Sequence, residues 1–256
     1  MDSREKTPDF WERRARLYGR ICVDSITMFE TDPEIIEQRV SFERGHIAPK
    51  LRITPRTHVL DLGCGPGRWT SYLAPRCERV VAVDFSPSMI EAARRQLPAE
   101  HLHKVEFVVQ SSADFLRPEQ FDLILILGVL IYLDDEQCER TIRNASLMLA
   151  PGGQLISKES IGLEWRYELR DKYSEVIQEN YTATYRSEEE LRALFASSGL
   201  KVAHDEFVYP EGSKARKFKE TAPKLFILEK MPVAVAPGEQ LCDPESSLAA
   251  AQSSIV

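Results

Sequence analysis

Between His58 and Glu159, short apolar runs rich in Val, Ile and Leu alternate with longer amphipathic stretches. A run that is apolar throughout suits a strand covered on both faces. Parallel neighbours also require a crossover long enough for a helix. The rhythm therefore predicts repeated βα units feeding a mostly parallel sheet. The expected strands are His58–Leu62, Arg79–Asp84, Val105–Val109, Phe121–Leu127 and 154–159, with helices at 69–73, Pro87–Gln96 and 136–149. Ser86 is placed to cap the second helix and Pro87 suits its first turn. Pro151-Gly152-Gly153 reads as the stop of the third.

Past Glu159 the periodicity weakens over 160–185, a stretch carrying Trp165, Tyr167, Tyr173, Tyr181 and Tyr185. It is too long for an ordinary connection and reads as an insertion after the fifth strand. A helix at 188–198 and strands at 201–208 and 225–229 follow, the strands expected to complete a seven-stranded sheet with an antiparallel edge. Residues 1–50 read as a helical cap, in which Phe10, Trp11, Leu17 and Tyr18 share one face. Residues 51–230 form the main domain. The Pro-, Ala- and Ser-rich stretch 231–256 reads as a disordered tail.

A chain of 256 residues with 43% hydrophobic composition can bury one full-sized core, so a single site is sought. The net charge of −7 argues against a partner held by its phosphate backbone, which makes nucleic acid an unexpected partner. Five widely spaced cysteines form no C-x-x-C pair, and His101 and His103 have no ligand companions at zinc-site spacing. Reduced thiols and no metal are expected. The first fourteen residues are charged and lack the apolar core of a secretory signal, and no run approaches membrane-spanning length. A cytoplasmic monomer or homodimer, with no membrane partner, follows as the expectation.

The first strand runs into Asp61-Leu62-Gly63-Cys64-Gly65-Pro66-Gly67, after which a helix begins. Such a turn lies where open α/β sheets bind ligands. Glycines let a ligand reach the backbone there, and free N–H groups at the strand-to-helix turn favour a carboxylate. Asp84 ends the second strand 23 residues after Asp61, where an acid can accept from both hydroxyls of a ribose. A nicotinamide dinucleotide site needs G-x-G-x-x-G. Here the third glycine falls one position early, and position 68 is Arg68, expected to be a solvated helix residue.

The runs V-L-D-L-G-C-G-P-G and V-V-A-V-D-F-S-P-S-M, followed by Phe121-Asp122-Leu123-Ile124 and Leu149-Ala150-Pro151-Gly152-Gly153, resemble the motifs of the Rossmann-like (class I) methyltransferases that use S-adenosylmethionine (SAM). The resemblance covers about 100 residues and implies a Rossmann-like α/β fold with helices on both faces of its sheet. It also implies that Asp61, Gly63 and Gly65 surround the amino-acid part of SAM, that Asp84 binds the ribose and that Met89 packs on the adenine. Ser112 and Ala113 stand at the adenine edge, where the family often has an acid followed by a small residue. Gly128 corresponds to the residue whose backbone lies near the cofactor amino group.

Methyl transfer from a sulfonium is an in-line displacement in which alignment is the main task, and a hydroxyl or protonated amine must also lose a proton. Acceptor-side groups are expected at the carboxyl ends of the fourth and fifth strands and in the insertion: Tyr132, Glu159, Trp165, Arg166, Tyr185 and Arg186. Glu159 is the first candidate for base or amine-binding group, against a surface ion pair with Lys158 or Arg166. Tyr132 is the second catalytic candidate, expected to face the acceptor, against a packed aromatic at the helix start. Arg166 or Arg186 would bind an acceptor carboxylate or phosphate. A small-molecule nitrogen or oxygen is the leading acceptor. RNA or protein methylation, and a SAM-binding partner subunit without chemistry, are the alternatives. No N-P-P-Y-type tetrapeptide points to ring-conjugated amino groups.

Overall fold

The computed structural model describes residues 7–18, 32–174, 179–212, 216 and 218–231. The tail expected from residue 231 onward lies, Met231 aside, outside the described residues, as do the side chain of Tyr18 and the cysteines Cys22 and Cys242. The helices are α1 (Thr7–Tyr18), α2 (Pro33–Ile47), α3 (Arg68–Leu73), α4 (Pro87–Gln96), α5 (Asp135–Met148) and α6 (Glu188–Ser197). The strands are β1 (His58–Leu62), β2 (Arg79–Asp84), β3 (Val105–Val109), β4 (Phe121–Leu127), β5 (Leu149–Gly162), β6 (Tyr167–Ser174), β7 (Glu179–Tyr185), β8 (Leu200–Phe207) and β9 (Thr221–Lys230).

Seven strands form the main sheet in the order β3-β2-β1-β4-β5-β9-β8. β1 to β5 are parallel, with Asp61 beside Ala82 and Leu125 and Asp84 beside Val109. The carboxyl ends of β1, β2, β4 and β5 therefore open onto one edge. Alternate residues serve opposite faces. Leu60, Leu62, Val81, Val83, Ile124, Ile126 and Leu155 join one buried cluster, with Ile142 and Phe195 of α5 and α6. Val59, Val80, Ala82, Leu123, Leu125 and Ile156 join the other, with Ile47, Trp69 and Ile90 of α2, α3 and α4. Because both faces are covered, the strands read as continuous apolar runs.

Three features depart from the sequence expectation. The antiparallel strand is internal: β9 runs against both β5 and β8, so the edge strand β8 points the same way as β5. Pro151-Gly152-Gly153 does not end α5, which stops at Met148. Those residues instead sit in an irregularity of β5, whose register with β4 shifts between Phe121 and Leu123. The insertion is a β-hairpin, β6 paired antiparallel with β7, and forms a second small sheet.

Helix starts are chemically explicit. Ser86 Oγ accepts from Met89 N at 3.1 Å to cap α4, while Asp134 with Gln137 and Ser187 with Glu190 form capping boxes on α5 and α6. α2 is held to the sheet by buried Glu43, which accepts from Arg68 Nη2 at 2.9 Å, Trp69 Nε1 at 3.2 Å and Lys158 Nζ at 2.7 Å. Burial alone would raise this carboxyl, but Lys158 and Arg68 outweigh it and hold it at about 2. Arg68 is thus a half-buried ion-pair partner of a buried carboxylate and not the solvated residue expected. α1 lies across the open edge of the sheet. Glu12 accepts from the hydroxyls of Ser86 and Ser88 at the start of α4, and Arg13 pairs with Glu179 of β7. Phe10 and Trp11 are buried, whereas Leu17, expected on the same face, is exposed.

Gly67, the N-cap of α3, has φ +83°, and a Cβ there would lie 2.7 Å from Ala93 Cβ and 2.9 Å from Ala93 Cα of α4. The third glycine therefore serves helix-to-helix packing. Gly67→Ala combines left-handed strain with overpacking and is expected to cost roughly 2–4 kcal/mol in urea unfolding. Gly45→Ala, at a helical position with nothing within 4 Å, is the control and should be neutral or stabilising. Equal unfolding midpoints for the two variants would contradict this account.

Candidate active site

The turn after β1 is bound to β2 by its own backbone. Gly63 N and Cys64 N both donate to Val83 O, at 2.8 and 2.9 Å. A Cβ on Gly63 would come within 2.4 Å of Val129 Cγ2, so the segment after β4 packs directly on the glycine turn. Asp84 closes the arrangement: its Oδ2 accepts from Gly65 N and its Oδ1 from Ser86 N, each at 2.9 Å. Asp61 accepts from Thr70 Oγ1 of α3 at 2.7 Å. Burial pushes both carboxyls up to about 6, and Asp61 adds repulsion at Asp84. Arg68 offsets only part of this at Asp61, and two buried acids beside a glycine turn are costly in isolation and suited to a ligand that brings positive charge and hydroxyl donors.

Met89, on the first turn of α4, is buried with Phe10, Trp11 and Ala15 of α1, and Tyr132 and Tyr181 pack against this group. Ser112 Oγ lies 3.5 Å from Thr141 Oγ1, and Ala113 O accepts from Asn144 Nδ2 at 3.1 Å, which ties the turn after β3 to α5. Gly128 follows β4, with its N–H donating to Lys158 O at 2.7 Å. These positions flank the same edge as Asp61, Gly63, Gly65 and Asp84.

On the acceptor side, Glu159 is buried in β5. Its Oε1 accepts from Val129 N at 3.1 Å, while its Oε2 has no hydrogen-bond partner. Burial pushes this carboxyl up to about 7. Neither expected ion pair forms. Lys158, its neighbour in the strand, points to the opposite face and meets Glu43, and Arg166 meets Asp135, Glu168 and Glu190. Tyr132 stacks edge-on against Trp11 with ring centroids 4.9 Å apart. Burial holds its phenol well above the usual range, so at neutral pH it is a hydroxyl and not a base. Tyr185 lies 6.0 Å from Tyr167, centroid to centroid, while Trp165 is exposed and outside the aromatic group.

The expectation that Arg166 or Arg186 holds an acceptor anion is corrected. Arg186 is buried and donates to Leu130 O, Leu133 O and Asp135, and Arg166 is engaged by three carboxylates. Their donors are spent on protein partners. Sequence reasoning passed over Thr70, Glu12, Glu43 and Asp135. Of these, only Asp135 stood beside a readable signal, the D-x-x-Q capping box that begins at Asp134.

Residues 59–153 match a family model described as a methyltransferase domain. Nodulation protein S of Rhizobium tropici is 36% identical over 122 residues, 45% of this chain and 50% of that protein. The magnesium-protoporphyrin O-methyltransferase of Rhodobacter capsulatus is 46% identical over 74 residues, 29% of this chain and 33% of that protein. The chain spans between 50% and 63% of the length of the nodulation proteins it matches. Two solved structures share the fold. Phosphoethanolamine N-methyltransferase 1 of Haemonchus contortus, with phosphoethanolamine and S-adenosylhomocysteine, superposes with a TM-score of 0.71 at 19% identity, over 97% of this chain and 52% of that one. The N-methyltransferase NodS of Bradyrhizobium japonicum, with S-adenosylhomocysteine, gives 0.58 at 22% identity, over 89% and 99%. The match over 59–153 is thus to a methyltransferase domain, and the strand order gives the chain the Rossmann-like fold that these solved structures share.

Proposed function

We propose that this chain transfers a methyl group from SAM to a nitrogen or oxygen of a small-molecule acceptor. The observation that carries the reading is the Gly63–Gly67 turn closed onto Asp84 by the Gly65 hydrogen bond, with Asp61 buried behind it. SAM supplies an activated methyl on a positively charged sulfur. Asp61, Gly63 and Gly65 would hold its amino-acid end and Asp84 its ribose, using carboxylate lone pairs left over from the backbone contacts. Met89, Ser112 and Ala113 would border the adenine, and Gly128 would lie near the amino group. Residues 51–230 would form the catalytic domain and 1–50 a helical cap, with Trp11 and Phe10 excluding water from the cleft.

On the acceptor side, Glu159 is assigned as base or amine-binding group and Tyr132 as a hydroxyl beside it. The unpartnered Oε2 and a carboxyl that titrates near neutrality support that assignment. NodS is described as an N-methyltransferase and the matched magnesium-protoporphyrin protein as an O-methyltransferase, which supports a nitrogen or oxygen acceptor. A reducing, cytoplasmic setting, as a monomer or homodimer, completes the proposal. Cys64, Cys77 and Cys138 are buried free thiols, which suits it.

Two outcomes test this reading. Purified protein given SAM and pooled small amines and alcohols should release S-adenosylhomocysteine in an acceptor-dependent way, and Asp84→Ala should lower that rate at least tenfold. Acceptor-independent background alone would defeat it. The second test is thermodynamic. With Glu159 raised from 4.5 to about 7, its unfolded form ionises first as pH rises, so stability is lost between those values. Glu159→Gln escapes that loss and should gain roughly 3 kcal/mol on wild type between pH 5 and pH 8. A stability difference that does not change with pH would contradict the buried, unneutralised carboxyl.

A further inference from the structure

The short 3-10 turn Leu130–Tyr132 has no side-chain cap of its own, yet it carries Tyr132 into contact with Trp11 of α1. A turn so short leaves most of its N–H and carbonyl groups without internal partners. Here two buried side chains of opposite charge take them up. At the start, Glu159 Oε1 accepts from Val129 N at 3.1 Å. At the end, Arg186 Nη1 donates to Leu130 O at 2.8 Å and Nη2 to Leu133 O at 3.0 Å. Asp135, the first residue of α5, holds the same guanidinium through Nε at 3.1 Å and Nη2 at 2.7 Å. Glu159 is 1% exposed and Arg186 5% exposed. Each side chain sits where the charge matches, the carboxylate on the N–H end and the guanidinium on the carbonyl end.

Arg186 is also the junction of three elements. It follows β7, its carbonyl accepts from Gly162 N of β5 at 3.0 Å, and Ser187 beside it caps α6. We propose that Arg186 is a positioning residue: with Glu159 opposite, it fixes the 130–132 turn, and through Tyr132 it sets how firmly α1 closes over the cleft. The β6–β7 hairpin is thereby coupled to α1 through the turn as well as through the Arg13–Glu179 pair. That the turn walls an acceptor cleft rests on the function proposed above. The clamp itself does not depend on it.

The test is amide hydrogen exchange by mass spectrometry on the ligand-free full chain, so its outcome is separate from any failure of SAM binding. Arg186→Met should speed exchange at least tenfold in 129–133 and at least threefold in 9–17, although the side-chain hydrogen bonds of Arg186 end on 130, 133 and 135. Arg186→Lys should recover most of both changes, because a cation at the carbonyl end is retained. In wild type, local opening takes the turn's N–H groups from Glu159 while the side chain stays buried, so protection of 129–131, corrected for intrinsic chemistry, should fall as pH is lowered from 8 to 6 and Glu159 gains its proton. In Glu159→Gln it should be low and flat. Should Arg186→Met fail to fold, the Lys and Gln variants carry the same test. Exchange in 129–133 within twofold of wild type in the Met variant would overturn the proposal. So would loosening of 179–190 alone, or protection of 129–131 in Glu159→Gln equal to wild type.

Discussion

The structure depends on how tightly the chain turns between β1 and α3. Within five residues it must leave a strand covered on both faces, contact the neighbouring strand and start a helix packed on another helix. Val83 O receives two successive amides of the turn, Val129 occupies the space a Gly63 side chain would need, and Ala93 occupies that of Gly67. These contacts fix the turn from β2, from the segment after β4 and from α4 at once. The backbone amide of Gly65 is consequently presented to Asp84 and to the open edge of the sheet. Everything assigned to the cofactor is arranged around that turn.

Charge placement divides the molecule into a neutralised side and an unneutralised one. Glu43 and Glu159 are both buried glutamates, yet one is held at about 2 and the other pushed to about 7. Their partners make the difference. Lys158 and Glu159 are consecutive in β5, so their side chains leave opposite faces, and the lysine serves Glu43 on the α2 side. Glu159 is left with backbone N–H donors only. Asp61, which accepts from Thr70 Oγ1, and Asp84, which accepts from two backbone amides, are pushed up by burial in the same way at the same edge. At all three acids burial outweighs the attraction of nearby cations, Arg68 at Asp61 and Lys158 at Glu159, and the protein pays in stability for a site that a cationic ligand can occupy.

Much of this was legible in the sequence because the relevant physics is local. Strands buried on both faces are unbroken apolar runs, so β1 to β4 were read to their ends, and the Ser86-Pro87 start of α4 is a matter of adjacent residues. The glycine turn and Asp84 were legible for the same reason. The insertion was not: β6 and β7 pair only with each other, and their aromatics alternate with charges in no steady period. The place of β9 between β5 and β8 depends on long-range pairing that no local pattern encodes. Glu43, Glu12 and Arg186 acquire their roles from partners 25 to 115, 74 to 76 and 51 to 56 residues away. Read along the chain, Glu43 and Glu12 look like ordinary surface charges, and Arg186 reads as a group for an acceptor anion rather than for the carbonyls of Leu130 and Leu133.

The central claim is that the turn and its acids form a SAM site. Calorimetric titration of SAM, S-adenosylhomocysteine and reduced nicotinamide dinucleotide into the wild-type protein tests it most directly. The account predicts micromolar or tighter affinity, about −8 kcal/mol or more favourable, for at least one of the two adenosyl ligands and none for the dinucleotide. Binding of the dinucleotide that SAM cannot displace, or binding of neither adenosyl ligand by folded protein, would contradict it.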